Sequence, residues 1–213
     1  MGEYELRRLG EIDEVSDGRC AFRPVRLELG ITSFGVNAWT GQTPGDRILN
    51  EHDELDEHEE LYLVHTGRAM FELGDERVDA PAGTLVFARP GLRRTAFAEE
   101  AGTTIIAIGG TPGQAYVPEG FELWAPLRAL YEAKRYAEAA DRGRAVVDAH
   151  PEYPFLAYSV ACCDSLAGRP ADAVEHLGRA IAASERFRDY AARDSDFDPI
   201  RVDGAFRALV GEP

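Results

Sequence analysis

The chain has 213 residues, 45% of them hydrophobic, and a formal net charge of −15. That length holds one medium domain or two small ones with a real core, which excludes a disordered chain. Residues 1–118 carry 21 acidic and 11 basic groups and residues 119–213 carry 17 and 12, so neither half offers the basic face that nucleic acid or an anionic membrane surface requires.

The first residues, MGEYELRRLGEIDEV, contain no apolar run of signal-peptide type, and no segment approaches the about 18 apolar residues of a spanning helix. The expectation is a soluble cytoplasmic protein. Cys20, Cys162 and Cys163 form no CxxC pair and are read as reduced, mostly buried thiols.

From Val25 to about Tyr116, short apolar or alternating runs separated by Gly and Pro predict an all-β barrel or jelly roll. LELGITSFGVNAW (27–39) supplies one or two strands. EELYLVHTG and RAMFEL follow, and RAMFEL faces ERVDAP across a tight turn at Gly74-Asp75. LVFARPG and TTIIAIGG complete the set. Within it, Tyr62 and Phe87 are assigned to the core, and His65 falls on the opposite parity to Glu60. Arg93 is assigned to surface ion pairs.

The stretch GGTPGQAYVPEG marks a boundary, with residues 1–116 as the strand domain and 117–213 as a helical one. Trp124 is assigned to pack the first helix against the barrel. YAEAADRGRAVVDAHP (136–151) aligns with PADAVEHLGRAIAASE (170–185) at a spacing of 34, with Ala139 matching Ala173. The turn signals Lys134-Arg135-Tyr136 and Gly168-Arg169-Pro170 correspond as well. The C-terminal part thus resembles tetratricopeptide helix hairpins, which implies a surface for protein contact. The tail predicts a capping helix over Gly204–Val210. Its Asp194, Asp196, Asp198 and Asp203 lack the Gly and Glu of a calcium loop and are read as helix caps.

The chemistry-bearing stretch is EHDELDEHEELYLVHTG (51–67), with PAGTLVFARPG beginning at Pro81. Together they resemble the two motif blocks of the cupin superfamily: HxH, a short spacer, Glu, then Gly; and G, five residues, PxG, two residues, His. Glu60, Gly67, Gly83 and Gly91 match. Glu54 and Asp56 stand at the HxH positions, Arg89 replaces the first Pro, and Arg94 replaces the last His. In cupins the His and Glu residues bind a divalent metal inside a barrel. A guanidinium offers no lone pair for one, so Arg94 points instead to a charge pair with Glu60 and Asp56.

The expected ligand-binding set is therefore Glu54, Asp56, Glu60, Tyr62 and Arg94, with no cofactor and no catalytic residue. The chain is read as a non-enzymatic cupin-like barrel that binds a small polar or anionic molecule and is joined to the repeat module, most simply as a homodimer. Strand parity leaves an alternative set, His52, His58 and Glu60, for Fe, Mn, Ni or Zn in a metal-dependent isomerase or dioxygenase. A third alternative is a purely structural dimerisation scaffold.

Overall fold

The computed structural model describes residues 4–16, 20–53 and 57–211, and they form two compact units, Met1–Pro118 and Glu119–Pro213. The first unit contains strands β1 (Ala21–Arg23), β2 (Gly35–Gly41), β3 (Arg47–His52), β4 (Glu59–Thr66), β5 (Arg68–Leu73), β6 (Glu76–Pro81), β7 (Leu85–Ala88), β8 (Arg94–Ala98) and β9 (Thr103–Gly110). Among the described residues they pair as two sheets, β1-β2-β9-β4-β7 and β3-β8-β5-β6. The architecture is therefore a two-sheet sandwich, and the expected closed barrel is corrected. The outer strands of the first sheet, β1 and β7, have three and four residues, too few to carry a ladder from one sheet into the other.

Strand alternation explains which side chains meet inside. Along β4, Tyr62 and Val64 are fully buried, and along β5 so are Ala69 and Phe71. They join Ile48, Leu49, Val86, Ala96 and Ile105 in one core between the sheets. The β5–β6 hairpin turns at Gly74-Asp75 as expected. Gly67 has a physical reason to be glycine: its φ is +71, and a Cβ there would stand 2.4 Å from Thr103 Oγ1.

Several expectations are revised. Val25–Leu29 is a short helix, α1, closed by Gly30 in the left-handed region, and LELGITSFGVNAW yields one strand, within the one or two expected. The strands β1, β3 and β8 carry no clear alternation in the sequence; Arg47–His52 pairs with β8 through two register shifts, which breaks the period-two pattern. Phe87 is 47% exposed, because β7 lies at a sheet edge and Phe87 sits on the parity opposite the buried Val86 and Ala88. Cys20 donates its thiol hydrogen to Thr40 O, and burial pushes that thiol up to about 11.

The second unit contains α2 (Gly120–Glu132), α3 (Tyr136–Ala149), α4 (Pro154–Leu166) and α5 (Pro170–Ala183). Every start and end of the second pair is displaced by 34 residues from the first. Ala139 and Ala173 are both fully buried. The turn positions correspond too: Lys134 has φ 58 and Gly168, 34 residues on, has φ 72. Among the described residues Lys134 is the one non-glycine with positive φ. Lys134→Gly is therefore expected to stabilise this unit by about 0.5–1 kcal/mol, read by urea denaturation; an unchanged or lowered midpoint counts against the strain.

The rest of the unit is α6 (Arg186–Arg193), a 3₁₀ turn (Ser195–Ile200) and α7 (Gly204–Val210). Asp203 caps α7 by accepting from Ala205 N at 2.8 Å and Phe206 N at 3.1 Å. Trp124 belongs to this unit's own core with Leu127, Val160, Leu177, Phe197 and Phe206. Cys162 and Cys163 are buried. Burial pushes the Cys163 thiol up to about 12 and the Cys162 thiol well above its ordinary value. No helix among the described residues is long and apolar enough to cross a membrane.

Candidate functional site

Three strands converge at one end of the sandwich. His52 ends β3, Arg94 begins β8, and the two are register partners. Glu60 and Tyr62 lie two apart on β4, on the face that carries the core. Their side chains meet at a single atom, Glu60 Oε2. It accepts from Arg94 Nε at 3.1 Å, from Arg94 Nη2 and from the Tyr62 hydroxyl at shorter range, and it faces His52 Nε2 at 3.1 Å. Arg94 Nε also donates to Tyr62 Oη at 3.1 Å, and Arg94 Nη1 to Leu92 O at 3.0 Å. The Arg94 side chain is fully buried, Glu60 is 16% exposed and His52 is 32% exposed, so His52 forms the accessible side of the cluster.

The electrostatics follow from this packing. Burial pushes the Glu60 carboxyl up, but the hydrogen bonds from His52, Tyr62 and Arg94 more than offset it and hold the group at about 2. Burial raises Tyr62 and keeps its hydroxyl proton available to donate. His52 is raised above its ordinary 6.5, first by its hydrogen bond to Glu60. Geometry gives the same answer. Its Nδ1 faces Asn50 O at 2.8 Å while its Nε2 faces the carboxylate, and only the imidazolium donates to both.

A pH dependence results. Because the folded state raises the His52 pKa, its contribution to stability is complete below 6.5 and is lost as pH rises through the folded value. Glu60 has the opposite sign: its contribution is complete above 4.5 and is lost only toward about 2. The unfolding free energy measured at pH 6 and pH 9 is expected to fall, and His52→Gln to flatten that fall. An equal slope in both proteins would remove His52 as its source.

The structure brings together Glu60, Tyr62 and Arg94 of the expected set and adds His52. Glu54 and Asp56 lie outside the described residues. His58 takes another place: its Nδ1 is 3.4 Å from Thr111 Oγ1 and its Nε2 lies against Gly109. His52, His58 and Glu60 therefore do not assemble as a ligand set, since their donor atoms do not lie within 4.8 Å of one another. The buried guanidinium beside Glu60 offers no lone pair and opposes a nearby cation, so these residues do not fit a cupin-type metal. Arg93 behaves as read from the sequence, close to Glu51 and Asp75, and His65 is exposed. What the sequence did not signal is Gly109, because its position opposite Glu60 exists only once β4 and β9 pair.

Among the described residues one group has metal-ligand spacing, Cys162, Asp194 and Asp196 in the helical unit. Its atoms are already engaged. Tyr158 donates to Asp194 at 2.8 Å, Tyr131 donates to both oxygens of Asp196, and the Asp194 side chain accepts from Asp196 N. The group ties the 3₁₀ turn to α2 and α4 and carries no case for an ion.

No protein-family model matches the chain, and no curated protein matches it. Among solved structures, a cupin protein from Bacteroides fragilis is similar over 56% of this chain and 93% of its own, at 16% identity and a TM-score of 0.43. A protein with a double-stranded β-helix domain from Klebsiella pneumoniae subsp. pneumoniae is similar over 55% of this chain and 99% of its own, at 18% identity and a TM-score of 0.44. An RmlC-like cupin from Shewanella frigidimarina covers 53% and 95%, at 11% identity and a TM-score of 0.40. The likeness lies in the strand-rich unit and is one of fold.

Proposed function

We propose that the strand-rich unit is a cupin-type sandwich that binds a small polar or anionic molecule, without catalysis, at the end where His52, Glu60, Tyr62 and Arg94 converge. The observation that carries this reading is the buried Arg94 held on Glu60, at the position where the resemblance calls for a metal-binding histidine. With His52 as imidazolium, two positive groups face one carboxylate. A guanidinium and an imidazolium at one end of the sandwich support an anionic visitor there, against the overall charge of −15. The helical unit is read as a tetratricopeptide-like module whose paired helices contact a protein partner.

Calorimetric titration with acetate, sugar acids and inorganic phosphate tests the pocket. Arg94→Ala is expected to weaken binding at least tenfold. Equal binding by the two folded proteins would sink the reading. A second role, pairing of two copies through β7, is supported by Leu85 and Phe87, which are 63% and 47% exposed on that edge strand. Sedimentation that finds a monomer at micromolar concentration would count against it.

A further inference from the structure

The end of the sandwich that holds Glu60 has a floor without side chains. Gly35 and Gly109 are partners across β2 and β9, and Gly109 and Glu60 are partners across β9 and β4. Directly paired residues point to the same face, so the two glycines and Glu60 form one row on the inner face of their sheet. Two rings lie on this floor. A Cβ on Gly35 would stand 2.6 Å from Tyr116 Oη and 2.7 Å from Tyr116 Cε2; one on Gly109 would stand 2.5 Å from His58 Nε2 and 3.2 Å from Glu60 Cγ. Both rings sit where any other residue would put its own side chain.

Tyr116 comes from an unusual place. It belongs to the stretch after β9 that has neither helix nor strand, and Pro112, Gly113, Gln114, Ala115 and Val117 around it are exposed. Of these neighbours only Tyr116 turns inward. Its ring lies 5.2 Å from the guanidinium of Arg26, and Arg26 is only 7% exposed. A bare backbone floor and an adjacent buried cation thus flank a phenol ring carried in by an otherwise exposed strap, on the same strand row that ends at Glu60.

We propose that this floor is a ring-binding subsite and that Tyr116 fills it as an internal stand-in for the ligand, an aromatic carboxylate. The inference rests on the reading of the Glu60–Arg94 end as a ligand mouth and specifies its ligand class. Gly35 leaves the room that the phenol end of the ring takes up. Arg26 interacts with the ring face and supplies charge for a carboxylate. Because the strap has neither helix nor strand, its withdrawal breaks no ladder or helix hydrogen bonds, and ligand competes with Tyr116 for the floor.

The probes are 4-hydroxybenzoate, with acetate as the non-aromatic anion. If Tyr116 holds the floor in about nine molecules of ten, Tyr116→Ala raises the apparent affinity for 4-hydroxybenzoate about tenfold and leaves that for acetate unchanged. Adding Gly35→Ala to that variant puts a methyl on the floor and cancels the gain. A folded Tyr116→Ala protein that binds 4-hydroxybenzoate no more tightly, or a gain that survives Gly35→Ala, overturns the proposal. Should Tyr116→Ala not fold, ¹³C-tyrosine spectra of the unaltered protein decide. Saturating 4-hydroxybenzoate shifts the Tyr116 ring signal, assigned by its loss in Tyr116→Phe, and an unmoved signal overturns the proposal. Arg94-dependent binding of acetate without any Tyr116 effect removes the ring subsite alone, whereas no Arg94-dependent anion binding at all removes the mouth as well.

Discussion

Glu60→Gln is expected to destabilise the strand-rich unit by about 3 kcal/mol, because it removes the carboxylate on which a fully buried guanidinium is held. Arg94 has no exposed side-chain surface, so water cannot take the place of the carboxylate. The amide keeps one acceptor oxygen but not the charge that holds Arg94 and His52 together. Glu60→Gln combined with Arg94→Met removes both charges and is expected to recover most of the loss, since the buried guanidinium that the single substitution leaves uncompensated is gone. Urea denaturation of the two variants separates these cases. A loss below about 1 kcal/mol for the single substitution would mean that the pair is solvated and that its burial has been misread.

The second large effect is expected in the helical unit. Asp164 is fully buried and accepts from His176 Nδ1 at 2.9 Å and Arg144 Nη2 at 3.1 Å, with Arg169 Nη1 at 3.7 Å. One carboxylate thereby joins α3, α4 and α5. Asp164→Ala strands His176, which is 5% exposed, with only the carbonyl of Asp172 at 3.0 Å. Arg144 loses less, because it retains Asp172 at 2.7 Å and has access to solvent. The expected cost is about 2–3 kcal/mol, in the range of a broken buried polar network. The corresponding position of the first hairpin is Leu130, itself buried, so the fold tolerates an apolar residue there when no charged neighbour converges on it. If Asp164→Ala cost no more than an average surface change, the network would be incidental to the packing of the two hairpins.

The sequence announces the helical unit more clearly than the strand unit. A repeat fixed at 34 residues carries its own boundaries, and Ala139 and Ala173 mark the crossings because only small residues let the helices approach. In the strand unit, β4, β5, β6 and β9 are legible from alternation and glycine punctuation. The strands β3 and β8 are not: RILNEH and RTAFA begin with arginine, and two register shifts in their pairing interrupt the period of two. The Glu60–Arg94 contact is visible from the spacing of the motif residues. The place of His52 beside it is not, because it depends on those same register shifts. Gly109, Gly35 and Tyr116 stay hidden for a related reason: a glycine that yields room to a distant ring carries no local signal.

The three cysteines divide between the units, Cys20 in one and Cys162 with Cys163 in the other. All three hold their protons well above neutral pH, and the thiolate is the reactive form. In the native molecule they are therefore slow targets for maleimide or disulfide exchange, and each becomes fast when its own unit opens. Labelling followed by peptide mass analysis consequently reports the opening of the two units separately, without any introduced probe. By that measure Glu60→Gln quickens modification of Cys20 and leaves Cys162 and Cys163 slow, while Asp164→Ala does the reverse.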